Sequence, residues 1–306
     1  MTDGRILRYP VLQSAAAVGF VTTSQHHERH APHVVWSRGD VDAKRRRVAP
    51  RLPRFTGAPR SSVAAALREA GGTWHEALCF AEPPELSVPG VRLARAVPAG
   101  TLLCQVPSQL HFSRPQCQAA APAIYAGCEA LPSADPEKRG EAADALCMAL
   151  LLSSQRSGEA GRARDAQAGE QWPALWRALA AVLLGFGQDF EKHPYTSAWQ
   201  GCVKSDHSSA EPELLAAQAQ YVRTVYSCIC DTLSSEHLRH LDEGLFLLSW
   251  LCLLTRRFGG PHGSALVPGV DFLNHSATPT ASSDWDEASG SVEVRALTDL
   301  SAGTSL

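Results

Sequence analysis

The sequence lacks any uninterrupted apolar run of about 18 residues, the length that a helix needs to cross a bilayer. It also lacks a strong excess of one charge, because 28 basic and 31 acidic side chains leave a formal net charge of −3. We therefore expect neither a membrane nor nucleic acid among its partners. What is present, 44% hydrophobic and 19% charged residues over 306 positions, is typical of a globular protein with one large domain or two modest ones.

The nine cysteines are scattered through the chain and do not occur in pairs at metal-ligand spacing. Cys228 and Cys230 lie within a helical pattern, where their side chains diverge. This usage favours reduced core cysteines of an intracellular protein and excludes a disulfide framework. Chloroplast, cytoplasm and nucleus all stay open as compartments, and we predict no metal site.

Residues 1–70 differ in composition from the rest of the chain. Arginine dominates their charge and acidic residues are few. We predict a disordered leader, although the same composition is typical of an organelle transit peptide. A histidine cluster in this segment could bind a transition metal, but no carboxylate or cysteine at fixed spacing supports such a site: His26, His27, His30 and His33.

Strand patterns occur near both ends of the remaining chain. Residues 91–97 and 101–107 alternate in polarity around a Pro98–Gly100 turn, which predicts a β-hairpin within residues 71–113. Residues 291–297 predict another strand, after a polar, turn-rich stretch at 276–291.

Between these ends, residues 114–243 are predicted to be mainly helical. Residues 142–152 are strong helix formers, and residues 171–190 and 211–233 carry apolar side chains at helical spacing. The polar segment 153–169, with its glycines, predicts a surface loop. The interior of the chain is therefore expected to be a large helical block.

The most informative stretch follows this block. Residues 246–258 form an apolar run that predicts a buried helix, with Arg256 and Arg257 at its end and a glycine-rich stop after it. A Pro268–Gly269 turn then brings Asp271, Asn274 and His275 together. Read alone, these polar residues could simply cap a turn, with the histidine in a structural hydrogen bond.

This stretch resembles the SET-domain protein methyltransferases, and most of all the Rubisco large-subunit lysine methyltransferase group. The resemblance implies an α+β fold, in which small SET-like β-sheets at 71–113 and 244–306 enclose a helical insertion at 114–243. The final strand and the C-terminal helical domain would be lacking. The resemblance rests on an apolar helix, a loop and these residues at the expected spacing: Arg256, Phe258, Val267, Pro268, Asp271, Asn274, His275 and Ser276.

The same resemblance implies an S-adenosylmethionine site. Asn274 would bind the zwitterionic head of this cofactor, since its amide both donates and accepts hydrogen bonds. The backbone beside His275 would contact the adenine edge, Arg256 would lie beside the pocket, and Asp271 would brace the turn or the cofactor side. Backbone groups of Gly90 and Val91 would complete the site.

The sequence departs from the family pattern in two places. Val88 stands where the family has a first glycine, and a β-branched residue cannot adopt the backbone conformations open to glycine. The family's catalytic tyrosine would lie beyond Leu306, so the catalytic residue is unknown. We therefore expect a protein-lysine N-methyltransferase fragment, acting on a lysine side chain of a protein substrate, with reduced or no activity. The alternative is a non-catalytic, SET-derived protein-interaction module.

Overall fold

The computed structural model describes residues 57–81, 90–131, 135–160, 172–187, 190, 194–199, 211–233, 238, 241–260, 263–274 and 276–306. The histidine cluster, the predicted leader up to residue 56, Val88 and His275 lie outside these ranges. Within these ranges, no helix is long and apolar enough to cross a membrane.

The strands in this part of the chain form three antiparallel sheets. The largest has the order β1-β4-β9-β8, a second pairs β2 with β3, and the third has the order β5-β7-β6. The strands are β1 Thr73–Trp74, β2 Leu78–Ala81, β3 Gly90–Leu93, β4 Leu102–Val106, β5 Phe112–Ser113, β6 Arg257–Gly260, β7 Gly263–Leu266, β8 Ala281–Trp285 and β9 Val292–Ala296.

Helices α2 to α7 lie within residues 114–243, the block that the sequence predicted to be mainly helical, and α8 follows it. One further helix precedes the first strand. The helices are α1 Ser61–Glu69, α2 Arg114–Ala120, α3 Pro122–Glu129, α4 Pro136–Ala160, α5 Ala174–Leu183, α6 Pro194–Trp199, α7 Glu211–Thr232 and α8 Glu243–Arg256.

Helix α8 is the buried helix that the apolar run predicted. It begins at Asp242, whose carboxylate accepts a hydrogen bond of 2.7 Å from the Leu245 backbone N–H. Its apolar residues 245–248 are all fully buried, since α8 packs against α4 on one side and contacts α7 on another. A helix that is apolar all round is stable in water only when other elements cover it in this way.

The prediction that residues 91–107 form a hairpin is wrong. Strand β3 pairs with β2, whereas β4 lies between β1 and β9 in another sheet. The turn itself forms, with Gly100 at a φ of 78°, but Val97 exchanges backbone hydrogen bonds with Leu300. Alternating polarity identifies strands, and it does not identify which strand is the partner.

Three other predicted boundaries differ from the structure. The polar stretch 276–291 contains strand β8, which pairs with β9 along its length. Helix α4 continues through residues 153–160, part of the predicted surface loop. The segment after α8, predicted as a short loop, is the β6–β7 hairpin, which pairs Arg257 with Leu266.

Helix α1 also lies within residues 1–70, where the sequence predicted a disordered leader. Its Val63 and Leu67 side chains are fully buried, and the helix packs against α5 and β1. A backbone hydrogen bond of 2.9 Å from Ala58 to Ala181 extends this contact. The alanine-rich composition of residues 63–66 suits a helix as well as it suits a leader, so composition alone placed the boundary too late.

Candidate functional site

The predicted turn after α8 forms around a 3-10 helix at Val270–Phe272. Gly269 precedes this helix with a φ of 91°, a conformation that favours glycine. A side chain there would also meet the ring of Trp74 at 3.1 Å. Val270 and Phe272 are buried and anchor the turn in the core.

Asp271 braces this turn from inside. Its side chain is 0% exposed, and its Oδ1 accepts a 3.0 Å hydrogen bond from the Gly269 backbone N–H. The Nη1 of Arg256 lies 3.4 Å from the other carboxylate oxygen and donates to the Asp271 carbonyl at 3.0 Å. Of the two roles predicted for Asp271, the geometry therefore fits the brace, because a fully buried carboxylate presents no atom to a ligand.

Two buried thiols lie close to the negative charge of Asp271. Burial, and then this charge, raises the pKa of Cys104 to about 12. Burial raises the pKa of Cys252 to about 12 as well, and Asp271 adds to the effect while Arg256 opposes it. Both thiols stay protonated at neutral pH and serve as packing groups around the turn.

The guanidinium of Arg256 lies against two aromatic rings. Its Cζ is 4.2 Å from the centroid of Phe186 and 5.9 Å from that of Phe272. Arg60, at the start of α1, approaches the same rings at 5.3 and 5.7 Å. The Arg256 side chain is 22% exposed, and its buried Nε has no hydrogen-bond partner among the described residues. One donor of this arginine is thus left over beside the turn.

Asn274 lies directly against strand β3. A Cβ placed on Gly90 would be only 2.2 Å from Asn274 Nδ2, so no other residue at position 90 leaves the amide where it is. Asn274 is half-buried, and its side chain forms no hydrogen bond with the described residues. Its backbone N–H donates to the Leu306 carbonyl at 2.8 Å. A polar amide with free donors and acceptors therefore faces a glycine backbone.

The last residues of the chain hold these two elements together. Thr304 accepts a hydrogen bond from the Leu93 N–H at 2.9 Å, and the Leu306 N–H donates to the Val91 carbonyl at 2.9 Å. Residues 303–306 therefore run along β3 and then reach the turn at Asn274. The Val91 carbonyl is already hydrogen-bonded to this segment. Gly90 is the position of β3 that lies against the Asn274 side chain.

The predicted site residues thus separate into two contacts. Gly90 and Asn274 form one, Arg256 and Asp271 form the other, and residues 271–274 join them. Arg60 and Phe186 were missed, because they come from the residue before α1 and from the 3-10 turn Leu184–Gly187 after α5, and no local motif marks them. The tyrosines whose side chains are described pack in the helical block and contact none of these residues: Tyr125, Tyr221 and Tyr226.

The fold has counterparts among known proteins. The SET domain family matches residues 89–306, and no curated protein matches the chain by sequence. The SET domain of LSMT bound to lysine and AdoHcy superimposes with a TM-score of 0.53 at 15% identity. Rubisco LSMT bound to sinefungin and monomethyllysine does so with a TM-score of 0.52 at 14% identity.

Each of these two superpositions covers 81% of this chain and 52% of the other, so the chain spans about half the length of these solved structures. At this identity the likeness establishes the fold: small antiparallel sheets around a helical insertion, as the sequence predicted. Because the family match extends over more than half of the residues, the chain belongs to the SET domain family.

Proposed function

We propose that this chain is an S-adenosylmethionine-dependent protein-lysine N-methyltransferase. The observation that carries the proposal is the contact between Gly90 and the Asn274 amide, which lies at one end of the turn that Arg256 and Asp271 hold. The bound molecules of the two LSMT structures, AdoHcy and sinefungin beside lysine and monomethyllysine, support the same cofactor and acceptor class.

The residues present fit the amino-acid head of such a cofactor. A zwitterion needs a cationic donor for its carboxylate and an acceptor for its ammonium group. The Arg256 side chain, which is 22% exposed, supplies the cation in this proposal. The Asn274 amide has both a donor and an acceptor to offer, and the missing side chain at Gly90 lets a ligand approach the backbone of β3.

When bound, S-adenosylmethionine supplies a methyl group on a sulfonium that is already a good leaving group. The contribution of the chain is alignment and exclusion of water. Phe186 and Phe272 are buried apolar rings that pack against Arg256 and shield part of its side chain from water. Asp271 balances the charge of Arg256 from the interior, which holds the arginine in place beside the turn.

The chain offers an unusually direct test, because Asn274 is its only asparagine. Protein labelled with 15N at the asparagine side chain gives a single NH2 pair in a nitrogen–proton correlation spectrum. Titration with S-adenosylmethionine should shift this pair along the same curve that calorimetry gives for binding. Asn274→Ala removes the pair and should weaken binding by about 1.5–3 kcal/mol, the range for hydrogen bonds to charged groups. If calorimetry shows saturation while the NH2 pair does not shift, the assignment of Asn274 is overturned. If calorimetry detects no binding, the cofactor assignment is overturned.

The acceptor is tested separately. The protein is incubated with methyl-labelled S-adenosylmethionine and a protein extract, and the extract is hydrolysed to amino acids. We expect the label in methylated lysine and its loss with Asn274→Ala. Label in methylhistidine would refute the lysine assignment. Binding without any transfer would favour the interaction-module alternative.

A further inference from the structure

Two arginines from different parts of the chain meet one buried carboxylate on the insertion helix. Asp144 of α4 has a side chain that is only 2% exposed. Arg257 Nη2 lies 2.7 Å from its Oδ2, and Arg114 Nη2 lies 3.4 Å from the same oxygen. The hydroxyl of Tyr125 donates to its other oxygen, so every side of the carboxylate is engaged.

The two arginines leave the two outer strands of one sheet. Arg257 is the first residue of β6, and Arg114 follows β5 directly. The strand between them, β7, ends at Leu266, which is paired with Arg257 on one side and with Phe112 on the other. Arg257 is itself a pairing partner of Leu266, and Arg114 lies two residues after the other partner, Phe112. Both arginines that contact Asp144 therefore lie beside the end of β7.

Strand β7 leads straight into the candidate site. Val267 follows Leu266, and its carbonyl accepts the hydrogen bond from the Asp271 N–H at 3.1 Å. Asp271 is in turn held by Arg256, the neighbour of Arg257. A movement of β6 or β7 relative to α4 would thus shift the turn that carries Asn274.

The surroundings of Arg114 fit a fixed position across α4. A Cβ on Gly140 would lie 2.3 Å from its guanidinium carbon, so the glycine makes room for the arginine to cross the helix. Glu137 binds the same guanidinium through two hydrogen bonds of 2.8 and 2.9 Å, the second from the Nη2 that also approaches Asp144. The hydrogen bond to Arg114 lowers the pKa of Glu137, which keeps this outer carboxylate charged.

We propose that Asp144 is a positioning residue for the cofactor turn: by clamping Arg114 and Arg257, it fixes the β5-β7-β6 sheet on the helical insertion and thereby sets the position of residues 267–274. This inference rests on the proposed function for its consequence, which is weaker cofactor binding when the clamp is lost. The placement of the turn itself can be measured without any ligand.

The test is hydrogen–deuterium exchange on the full chain, comparing the wild type with Asp144→Asn. The substitution keeps the shape of the side chain and leaves both arginines without their buried counter-charge. We expect exchange of the amides in 267–274 to become about tenfold faster, a typical coupling for residues in one ion-pair network. The amides of β9, in the other sheet, serve as the internal reference and should keep their protection.

Leu146→Ala is the matched control, because it removes a fully buried side chain from α4 without touching the network. It should raise exchange in both regions alike. Arg114→Gln is the milder variant in case Asp144→Asn fails to fold, since Arg114 is 31% exposed and only one of the two contacts is lost. It should accelerate exchange in 267–274 by roughly threefold. Unchanged protection of 267–274, or a rise equal to that of β9, would overturn the proposal.

Calorimetry with S-adenosylmethionine forms the second arm. Asp144→Asn should raise Kd by about tenfold at unchanged stoichiometry, because the folded fraction is intact and the site is displaced. If the wild type binds no cofactor while exchange at 267–274 still responds, the proposed function fails and the positioning role stands. If the wild type binds and neither exchange nor Kd responds, the positioning role fails alone.

Discussion

The contact between Gly90 and Asn274 yields the sharpest prediction, through the substitution Gly90→Ala. The added methyl would lie 2.2 Å from Asn274 Nδ2 and 2.9 Å from its Cγ. Heavy atoms cannot approach this closely, so either strand β3 or the amide must move. The backbone of β3 is held by β2 on one side and by residues 303–306 on the other. The amide is half-buried and forms no hydrogen bond with the described residues, so we expect the amide to rotate away.

Because the amide can move more easily than strand β3, we expect a small loss of stability and a larger loss of binding free energy. Overpacking a rigid core costs about 1–3 kcal/mol, and a side chain that can turn toward solvent should keep the loss of unfolding free energy near or below about 1 kcal/mol. The displaced amide would forfeit hydrogen bonds to a charged ligand, which contribute about 1.5–3 kcal/mol. Cofactor binding should therefore weaken roughly ten- to hundredfold. Gly90→Ala is expected to be a binding mutation with a small effect on stability.

The assay is calorimetric titration with S-adenosylmethionine, alongside urea denaturation of the same protein. Gly100→Ala is the control, because Gly100 has a φ of 78° and open space around it. It should lower stability by about 1–2 kcal/mol through left-handed strain and leave binding unchanged. In an Asn274→Ala background, Gly90→Ala should cost no further affinity. An equal penalty with and without the amide, or wild-type affinity for Gly90→Ala, would refute the reasoning.

Three other predictions concern stability. Asp271→Asn should lower the free energy of unfolding by about 2–3 kcal/mol in urea, less than for a fully buried pair because Arg256 is 22% exposed; wild-type stability would contradict the brace. Burial lowers the pKa of His111 despite its 2.9 Å contact with the Val106 carbonyl, so its folded state favours the neutral ring. Stability linked to His111 should be complete above about pH 6.5 and decline as the pH falls toward the lowered folded pKa, and in thermal melts His111→Gln should flatten this decline. Trp285→Phe removes the 3.0 Å hydrogen bond from the indole N–H to the Gly259 carbonyl and should lower the free energy of unfolding by about 1 kcal/mol. An unchanged melting temperature would contradict this prediction.

Elements whose signal is local were predictable from the sequence. Helix α8 follows from an apolar run that is closed by a stop signal, and the Pro268–Gly269 turn follows from its residue types. The helices α5 and α7 also lie within their predicted ranges, because three-residue and four-residue spacing is a property of the helix itself.

Features that depend on partners were not predictable. Strand β8 consists largely of small polar residues and is only half-buried, so its pairing with β9 leaves no pattern of alternation. The strands of the predicted hairpin were assigned to each other because they are neighbours in sequence. In the structure β3 pairs with the nearby β2, whereas β4 pairs with β1 and with β9, which lies far along the chain. Arg60 and Phe186 join the candidate site through tertiary packing alone.

The two arginines at the end of α8 show why a motif does not assign roles by itself. They are adjacent in sequence, yet Arg256 binds Asp271 of the turn and Arg257 binds Asp144 of the insertion. The helix ends between them: Arg256 is its last residue, whereas Arg257 has the extended backbone of β6, with a φ of −74° and a ψ of 145°. Successive side chains point to opposite faces in a strand but follow the helical period in a helix, so the change of backbone at Arg257 lets one helix end connect two buried carboxylates. Removing Arg256 would take a cation away from Asp271, whereas removing Arg257 would take one of two cations away from Asp144, so two different parts of the site would respond.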